Sequence, residues 1–316
     1  MADSHEQNSI QFHGQAGTLF GIQIRNLLLI LVTLGIYSFW ARVKVRNYLW
    51  GQFEFDHDRL SYHGTGLETF KGWLKAAAFF GIPYALFRYG PKWMGGGPAL
   101  IGLGALLSIL LVVLFFPMAV IGSRRYRLSR TGWRGIRFSF RKTWKDYIPL
   151  FWKGNFLSSI TLSLYSPYYQ MNREKFLVEN TFIGDRHFDF DGEGKDLFKS
   201  YFIAFLLAIP TLFFSLFWYH VVKHRYIWNH TIFREARFNC TITFGGMLKI
   251  AFLNFLTVLF TLGFAYAWAE TRSIRYMVQN LTLEGYVDKT LGQEAQSVNA
   301  TGEELASFFD LDFDLG

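Results

Sequence analysis

Apolar runs of about twenty residues alternate along the chain with short aromatic and basic stretches, and the alternation keeps a nearly constant period. Each unit reads as an apolar helix, an aromatic-and-basic helix end, and a short stretch of β-branched and aromatic residues. Anchoring aromatics mark the beat at Tyr48, Tyr126, Phe176, Tyr226 and Tyr276. The last four stand 50 residues apart, and the first interval is 78, longer by 28. An offset of 228 residues places Ile22, Asn26, Thr33, Leu34, Gly35 and Trp40 on Ile250, Asn254, Thr261, Leu262, Gly263 and Trp268 without a gap. Gly64-Thr65-Gly66 and Gly192-Glu193-Gly194, 128 apart, extend the match to units one and three.

The runs at 98–122, 201–219 and 250–269 have about the ~20 residues that a helix needs to cross hydrocarbon. Several end in Trp and Tyr, which favour the headgroup layer, and Arg42 and Arg46 follow at helical spacing. Thr181-Phe182-Ile183 and Thr231-Ile232-Phe233 precede a turn and further Phe residues (Phe188, Phe190, Phe238), which predicts a short hairpin at the membrane surface. The fold class expected is an all-α membrane protein with short β-hairpin-like surface segments and about six transmembrane helices. Crossings are placed near 19–41, 68–88, 98–122, 147–169, 200–220 and 248–269. One repeat-built domain fills 1–288, with units ending near 66, 142, 194, 244 and 288, and an acidic tail occupies 289–316.

Composition agrees with a membrane class: 51% of the 316 residues are hydrophobic and 19% aromatic. The single cysteine, Cys240, excludes an internal disulfide and a multi-cysteine metal site. Residues 1–17 carry no cleavable signal pattern. The net charge of +8 clusters beyond the apolar runs, as expected for cytoplasmic loops and anionic headgroups rather than nucleic acid. Nine Lys and Arg fall in 124–145 with no acid, whereas 172–199 holds five with seven acids. Read by the positive-inside rule, successive units then face opposite sides of the membrane. A rival arrangement keeps all basic ends on one side, with 192–226, broken by Pro210, forming re-entrant half-helices.

The stretch LVTLGIYSFWARVKVRNYLW at 31–50, the Phe12-His13-Gly14 opening and the FFDLDFDLG ending resemble the YjgN family of bacterial inner-membrane proteins. That resemblance covers nearly the whole chain. It implies a multi-pass protein of the bacterial inner membrane, and it supplies neither an activity nor catalytic residues. Thr stands five residues after the anchor in units two to four, whereas Phe53 and Leu281 replace it in the first and last.

The fourth run is the least apolar. Asn155, Ser158 and Tyr165 recur there at helical spacing, either as helix–helix glue or as the wall of a solute path. Asn26 and Asn254, in register in their units, invite the same two readings, with a structural contact preferred. Arg124, Arg125, Arg127, Arg130 and Arg134 open the densest basic block and are candidates for lipid headgroups as well as topology determinants. His220 and His224 are four apart, but no third ligand completes a zinc set, so no metal is expected. Asp189 to Gly194 imitates half a calcium loop, yet Ser200 stands where a bidentate Glu is needed, and a structural turn is the better reading. No GxSxG, phosphate loop or paired buried carboxylates occur, so neither catalysis nor a cofactor is expected. Two functions stay open: a small-solute transporter or channel-like bundle, and a lipid-interacting, membrane-organising scaffold. The oligomeric state is not legible.

Overall fold

A computed structural model describes residues 7–285. Two short strands, β1 (Gln7–Ser9) and β2 (Gln11–Phe12), open the chain. Unit one follows with α1 (Ala16–Val32), α2 (Ser38–Trp50), β3 (Phe53–Phe55) and β4 (Asp58–Tyr62). Unit two has α3 (Gly66–Ala76), a π-helical turn (Ala77–Gly81), α4 (Ile82–Trp93), α5 (Pro98–Arg130), β5 (Thr131–Trp133) and β6 (Ile136–Phe140). Units three and four run α6 (Trp144–Ile160), α7 (Ser166–Glu179), β7 (Thr181–Ile183), β8 (Arg186–Phe190), then α8 (Gly194–Leu206), α9 (Phe214–Asn229), β9 (Thr231–Phe233), β10 (Ala236–Cys240). Unit five closes with α10 (Phe244–Phe260), α11 (Tyr266–Gln279) and β11 (Leu281–Glu284).

Among the described residues, eleven strands join one antiparallel sheet in the order β1-β11-β10-β9-β8-β7-β6-β5-β4-β3-β2. Its two edge strands are consecutive pieces of residues 7–12: Ser9 pairs with Thr282 on one side and Phe12 with Phe53 on the other. The sheet therefore closes on itself as a ring, and closure removes the exposed edges of an open sheet. Because every neighbour is antiparallel, the hairpin turns at 56–57, 134–135, 184–185 and 234–235 share one rim, and all helix connections share the other.

The inward positions repeat with the sequence period. Phe55, Trp133, Ile183, Phe233 and Leu283 form one apolar layer, and Leu60, Phe138, Phe188 and Phe238 pack against it. Ring contacts such as Phe188–Phe233 at 4.8 Å and Phe55–Trp133 at 5.3 Å fill the interior. The Trp133 indole N–H also donates to the Phe55 carbonyl at 3.2 Å, tying units one and two.

The anchoring aromatics fasten the end of each second arm to the start of the first. Tyr48 Oη accepts from the Gln15 N–H at 2.8 Å, and Tyr226 Oη accepts from the Glu193 N–H at 2.9 Å while donating to Asp196 at 2.6 Å. In unit two, Tyr126 Oη donates to Glu68 at 3.0 Å. Phe176 has no hydroxyl and instead packs its ring on Tyr147 at 5.5 Å. Gly66 and Gly194 sit where an added Cβ would fall 2.4 Å from Trp40 and from Tyr168, so the paired glycines are the close approach of one unit to the preceding one. The calcium-like run joins the end of β8 to the start of α8. Its Asp189 and Asp191 pair with His187 at 3.1 Å and with Arg237 at 2.5 Å.

Three expectations are corrected. The chain is not all-α with isolated surface hairpins, since the short strands of all units pair into one sheet. It does not hold six crossing helices: the segments 19–41, 147–169, 200–220 and 248–269 each contain a turn and are helix hairpins. Their first arms have at most 17 residues, or ~25 Å, against ~30 Å of hydrocarbon. Among the described residues only α5, 33 residues long, meets the length and composition of a crossing. Nor do successive units face opposite sides, because a hydrogen-bonded ring holds every helix connection on one rim. The extra 28 residues lengthen the second hairpin, whose first arm runs through α3, the π turn and α4. The acidic tail and the end of unit five lie outside the described residues.

A joint at the neck of that long hairpin is charged. Arg130 grips Glu68 through Nη2–Oε1 at 3.1 Å and Nε–Oε2 at 3.2 Å. Burial opposes ionisation of Glu68, but the Arg130 hydrogen bonds and charge, with Tyr126 and the Thr65 N–H, outweigh it and hold the carboxyl below its ordinary value. Burial likewise opposes the Arg130 charge, and Glu68 overcomes it and raises the guanidinium. Thr65 and Glu68 also close a capping box at the start of α3.

Removing the indole by Trp133→Ala should cost ~3–5 kcal/mol, read as a lower unfolding midpoint in detergent, because a filled layer loses its largest member. A change near zero would mean that the ring is not packed as described. Glu68 has a depressed folded pKa, so its stabilisation is full above its unfolded value and is lost as pH falls through the folded one. Glu68→Ala should therefore destabilise by about 1 kcal/mol above about pH 5, and the difference from the parent should vanish in stronger acid.

Candidate membrane interface

Four hairpins turn in the same way. Thr33, Thr161, Thr211 and Thr261 each donate their hydroxyl to the carbonyl four residues back, at 2.6–2.8 Å. The same oxygens accept from the N–H groups of Tyr37, Tyr165, Ser215 and Ala265, at 3.0–3.1 Å. One side chain thus closes the first arm and opens the second. Further N–H groups reach back five residues, as Gly35 to Ile30 at 2.8 Å and Gly263 to Val258 at 2.8 Å, in the manner of a Schellman cap. The tips consequently satisfy much of their own backbone, as hydrocarbon requires.

After each Thr comes a leucine with left-handed backbone: Leu34, Leu162, Leu212 and Leu262 have φ between 48° and 51°. A Cβ makes that conformation cost about 1–2 kcal/mol, and glycine would remove the cost. These leucines touch almost nothing: they are 94%, 77%, 79% and 88% exposed. A strained residue whose side chain serves no internal contact points to a use outside the fold.

Behind the tips lies a basic belt on the exposed first arms. Arg25 and Lys153 occupy one repeat position, and Lys71, Lys199 and Lys249 occupy the position four residues earlier; all five are exposed. In the short hairpins they stand 8 residues before Thr33 and Thr161, and 12 before Thr211 and Thr261. At 1.5 Å per residue the belt is ~12–18 Å from the tips, about half of a ~30 Å hydrocarbon core. Between belt and tip the first arms expose large apolar groups such as Leu31, Phe156, Leu206 and Phe255.

The sequence-level candidates are distributed differently. Arg124 donates to the Leu177 carbonyl at 3.3 Å and to Thr181 Oγ1 at 3.1 Å, and Arg130 is held by Glu68. Arg134 bonds Asp56 at 2.8 Å and Asp58 at 2.5 Å on the neighbouring hairpin turn, and those hydrogen bonds raise its guanidinium further. Arg127 is half-buried, and Arg125, also half-buried, makes no hydrogen bond or ion pair among the described residues. Much of the densest basic block is therefore engaged within the protein.

The polar candidates join the two arms of their own hairpins. Asn26 is buried and donates to the Ala41 carbonyl at 3.2 Å. Asn254 donates to Ser273 at 2.7 Å and accepts from Arg272 at 3.1 Å. Asn155 donates to the Phe151 carbonyl at 2.7 Å and to Tyr169 Oη at 3.2 Å. Ser158 Oγ is shielded without a partner among the described residues, and Tyr165 lies at the tip, its ring stacked on Tyr168 at 5.5 Å. Tyr165 and Asn155 thus fall on opposite sides of a turn and form no single stripe. A cleft lies elsewhere, on the long hairpin, lined by Tyr84, Arg88, Ser108 and Ile109. His220 is exposed, and His224 accepts from the Trp228 indole at 3.4 Å.

Sequence reasoning missed the leucine tips and the belt. Their signals were present: Thr-Leu recurs at 33, 161, 211 and 261, and Lys199 and Lys249 are one interval apart. Within apolar runs, however, a Thr-Leu step reads as continued helix.

Comparison with known proteins gives a consistent placement. A family model described as a bacterial protein of unknown function (DUF898) matches residues 7–217 and 201–308. The inner membrane protein YjgN of Escherichia coli K12 is 36% identical over 140 residues, which cover 44% of this chain and 33% of that protein. Its namesake in Salmonella typhimurium LT2 is 31% identical over 146 residues, covering 45% and 34%. The match thus spans about a third of the length of these relatives. No solved structure matches the chain. The relatives' naming supports a place in the bacterial inner membrane. On the extent of the family match, with YjgN proteins among its relatives, the chain belongs to the DUF898 family of bacterial proteins of unknown function.

Proposed function

We propose that this protein is a non-enzymatic, lipid-engaging scaffold of the inner membrane. The β-ring stands on one side and presses four helix hairpins into the near leaflet, while the long second hairpin passes deeper. The observation that carries this reading is the strained, exposed leucine at each of four tips. Transfer of a leucine side chain from water to hydrocarbon is worth ~1.5–3 kcal/mol, enough to offset the left-handed backbone at every tip. The belt supplies the second contact, since each cation near anionic headgroups contributes about 1 kcal/mol. Tip and belt are separated by about one leaflet's hydrocarbon, so both are satisfied at a single depth. Wedging four hairpins into one leaflet expands that leaflet and bends or organises the bilayer.

Solute transport finds less support. Trp133, Phe233, Phe188 and their neighbours fill the ring, which speaks against a path along its axis, and Asn155 is engaged with Tyr169. A flux of small solutes in proteoliposomes that disappears on Asn155→Ala would favour transport instead.

In a Cys240→Ser background, single cysteines at Arg59, Arg137, Asp185 and Glu235 should all react with an impermeant thiol reagent from the same face of the membrane. Labelling from alternating faces would end the one-sided reading. Leu212→Gly should raise unfolding stability in detergent by about 1 kcal/mol, because the left-handed strain is relieved. Conversely, Asp at Leu162, Leu212 and Leu262 together should abolish deformation of vesicles rich in anionic lipid. Vesicle shapes unchanged between parent and triple variant would count against the wedge.

A further inference from the structure

The second arms carry charge near their β-strand ends. One interval apart on α5, α7 and α9 stand Arg124, Glu174 and His224, and just before them Ser123, Arg173 and Lys223. These positions lie toward the β-strand ends of their helices, and α7 and α9 pack against each other there through Met171, Val178, Tyr219 and Val222. Arg124 reaches from α5 to Leu177 on α7 and to Thr181 at the start of β7, and its guanidinium lies within electrostatic reach of Glu174 and Arg173. Arg173 donates to Glu174 at 3.1 Å. Lys223 on α9 interacts with the same Glu174 and Arg173, and His224 with Lys223. Arg173 thus holds Glu174 directly, and Arg124 and Lys223 lie within electrostatic reach of that half-buried pair.

Hydrogen-bond accounting leaves donors over. The Nε–H groups of Arg124 and Arg173 are shielded from solvent and have no partner among the described residues. His224 Nε2 accepts from Trp228, so the proton of a neutral ring sits on Nδ1, which is also shielded and unpartnered. Gln170, one turn before Glu174, has an unpartnered side-chain oxygen, and exchanging its amide N and O would supply another donor. An unmet buried donor is destabilising, and unbalanced charge adds to that. Forked guanidiniums, an ammonium and an imidazole N–H together match the oxygens of a tetrahedral oxyanion.

We propose that the α5–α7–α9 neck binds a phosphate group through Arg124, Arg173, Lys223 and His224, presented by an anionic lipid or as a free ion. Glu174 orders the two arginines and tempers the site's charge. The site stands on these contacts alone and does not require the hairpins to be re-entrant.

The test uses the full-length protein in neutral detergent, without a bilayer, so failure of the wedge reading leaves it intact. Inorganic phosphate, phosphatidic acid and a phosphate-free neutral glycolipid are titrated against tryptophan fluorescence and calorimetry. Lys223→Met and Arg173→Gln are the variants, since Arg124→Gln also unties α5 from β7. Binding of at least one phosphate-bearing probe, weakened ten-fold or more in both variants at unchanged unfolding midpoint, is the expected result. Binding of phosphatidic acid alone identifies a headgroup site; binding of inorganic phosphate as well identifies a site for the free ion. Absence of binding by either phosphate probe, equal binding in parent and variants, or equal binding of the glycolipid overturns the proposal.

Discussion

Everything in this molecule hangs on pairing between strands that belong to different units. A hairpin of three plus five residues has too few ladder bonds and too little buried surface to stand alone. Four such hairpins, with β1, β2 and β11, gain stability only because each borrows a neighbour. The circle is closed by residues 7–12, which pair with β11 at one end and β3 at the other. Closure fills the interior with one apolar residue per repeat position and leaves no edge to pair with another chain. It also dictates direction: in an antiparallel ring with tight turns on one rim, every helix must leave from the other.

From that direction the remaining features follow by length. Arms of at most 17 residues that start at a common rim cannot cross a bilayer, so they turn back. Turning back inside apolar surroundings requires that the backbone satisfy itself, and the repeated Thr performs that task at four tips. Glycine follows the leucine in only two of them, at Gly35 and Gly263, while Ser163 and Phe213 take the second left-handed position elsewhere. Such strain is tolerated because the ring over-determines the arms. The second hairpin alone escapes the length limit, through its 28 additional residues.

Charge divides into internal and external work. Arg124, Arg130 and Arg134 join units to one another at the neck and on the far rim, where carboxylates and carbonyls receive them. The cations left to solvent on the first arms are sparser, but they fall within one helical turn of a common level. A count of basic residues along the chain weighs both kinds equally, which is why the dense block at 124–145 drew attention and the belt of Arg25, Lys153, Lys199 and Lys249 did not.

The spacing of the aromatic anchors, the membrane class and the family were legible in the sequence by itself, because these rest on local pattern and motif. Asn26 and Asn254 were legible as equivalent positions for the same reason. Tertiary structure decided the rest. Apolar runs of twenty residues that look like single spans are folded in half, since a Thr followed by a left-handed Leu carries no propensity signal for a turn. The opposed charge of 124–145 and 172–199 suggested opposite faces, yet β6 and β7 from those two stretches lie hydrogen-bonded side by side. Ladder bonds between strands some forty residues apart are non-local, with no local sequence signature, and they outweigh a charge bias that acts on each segment separately.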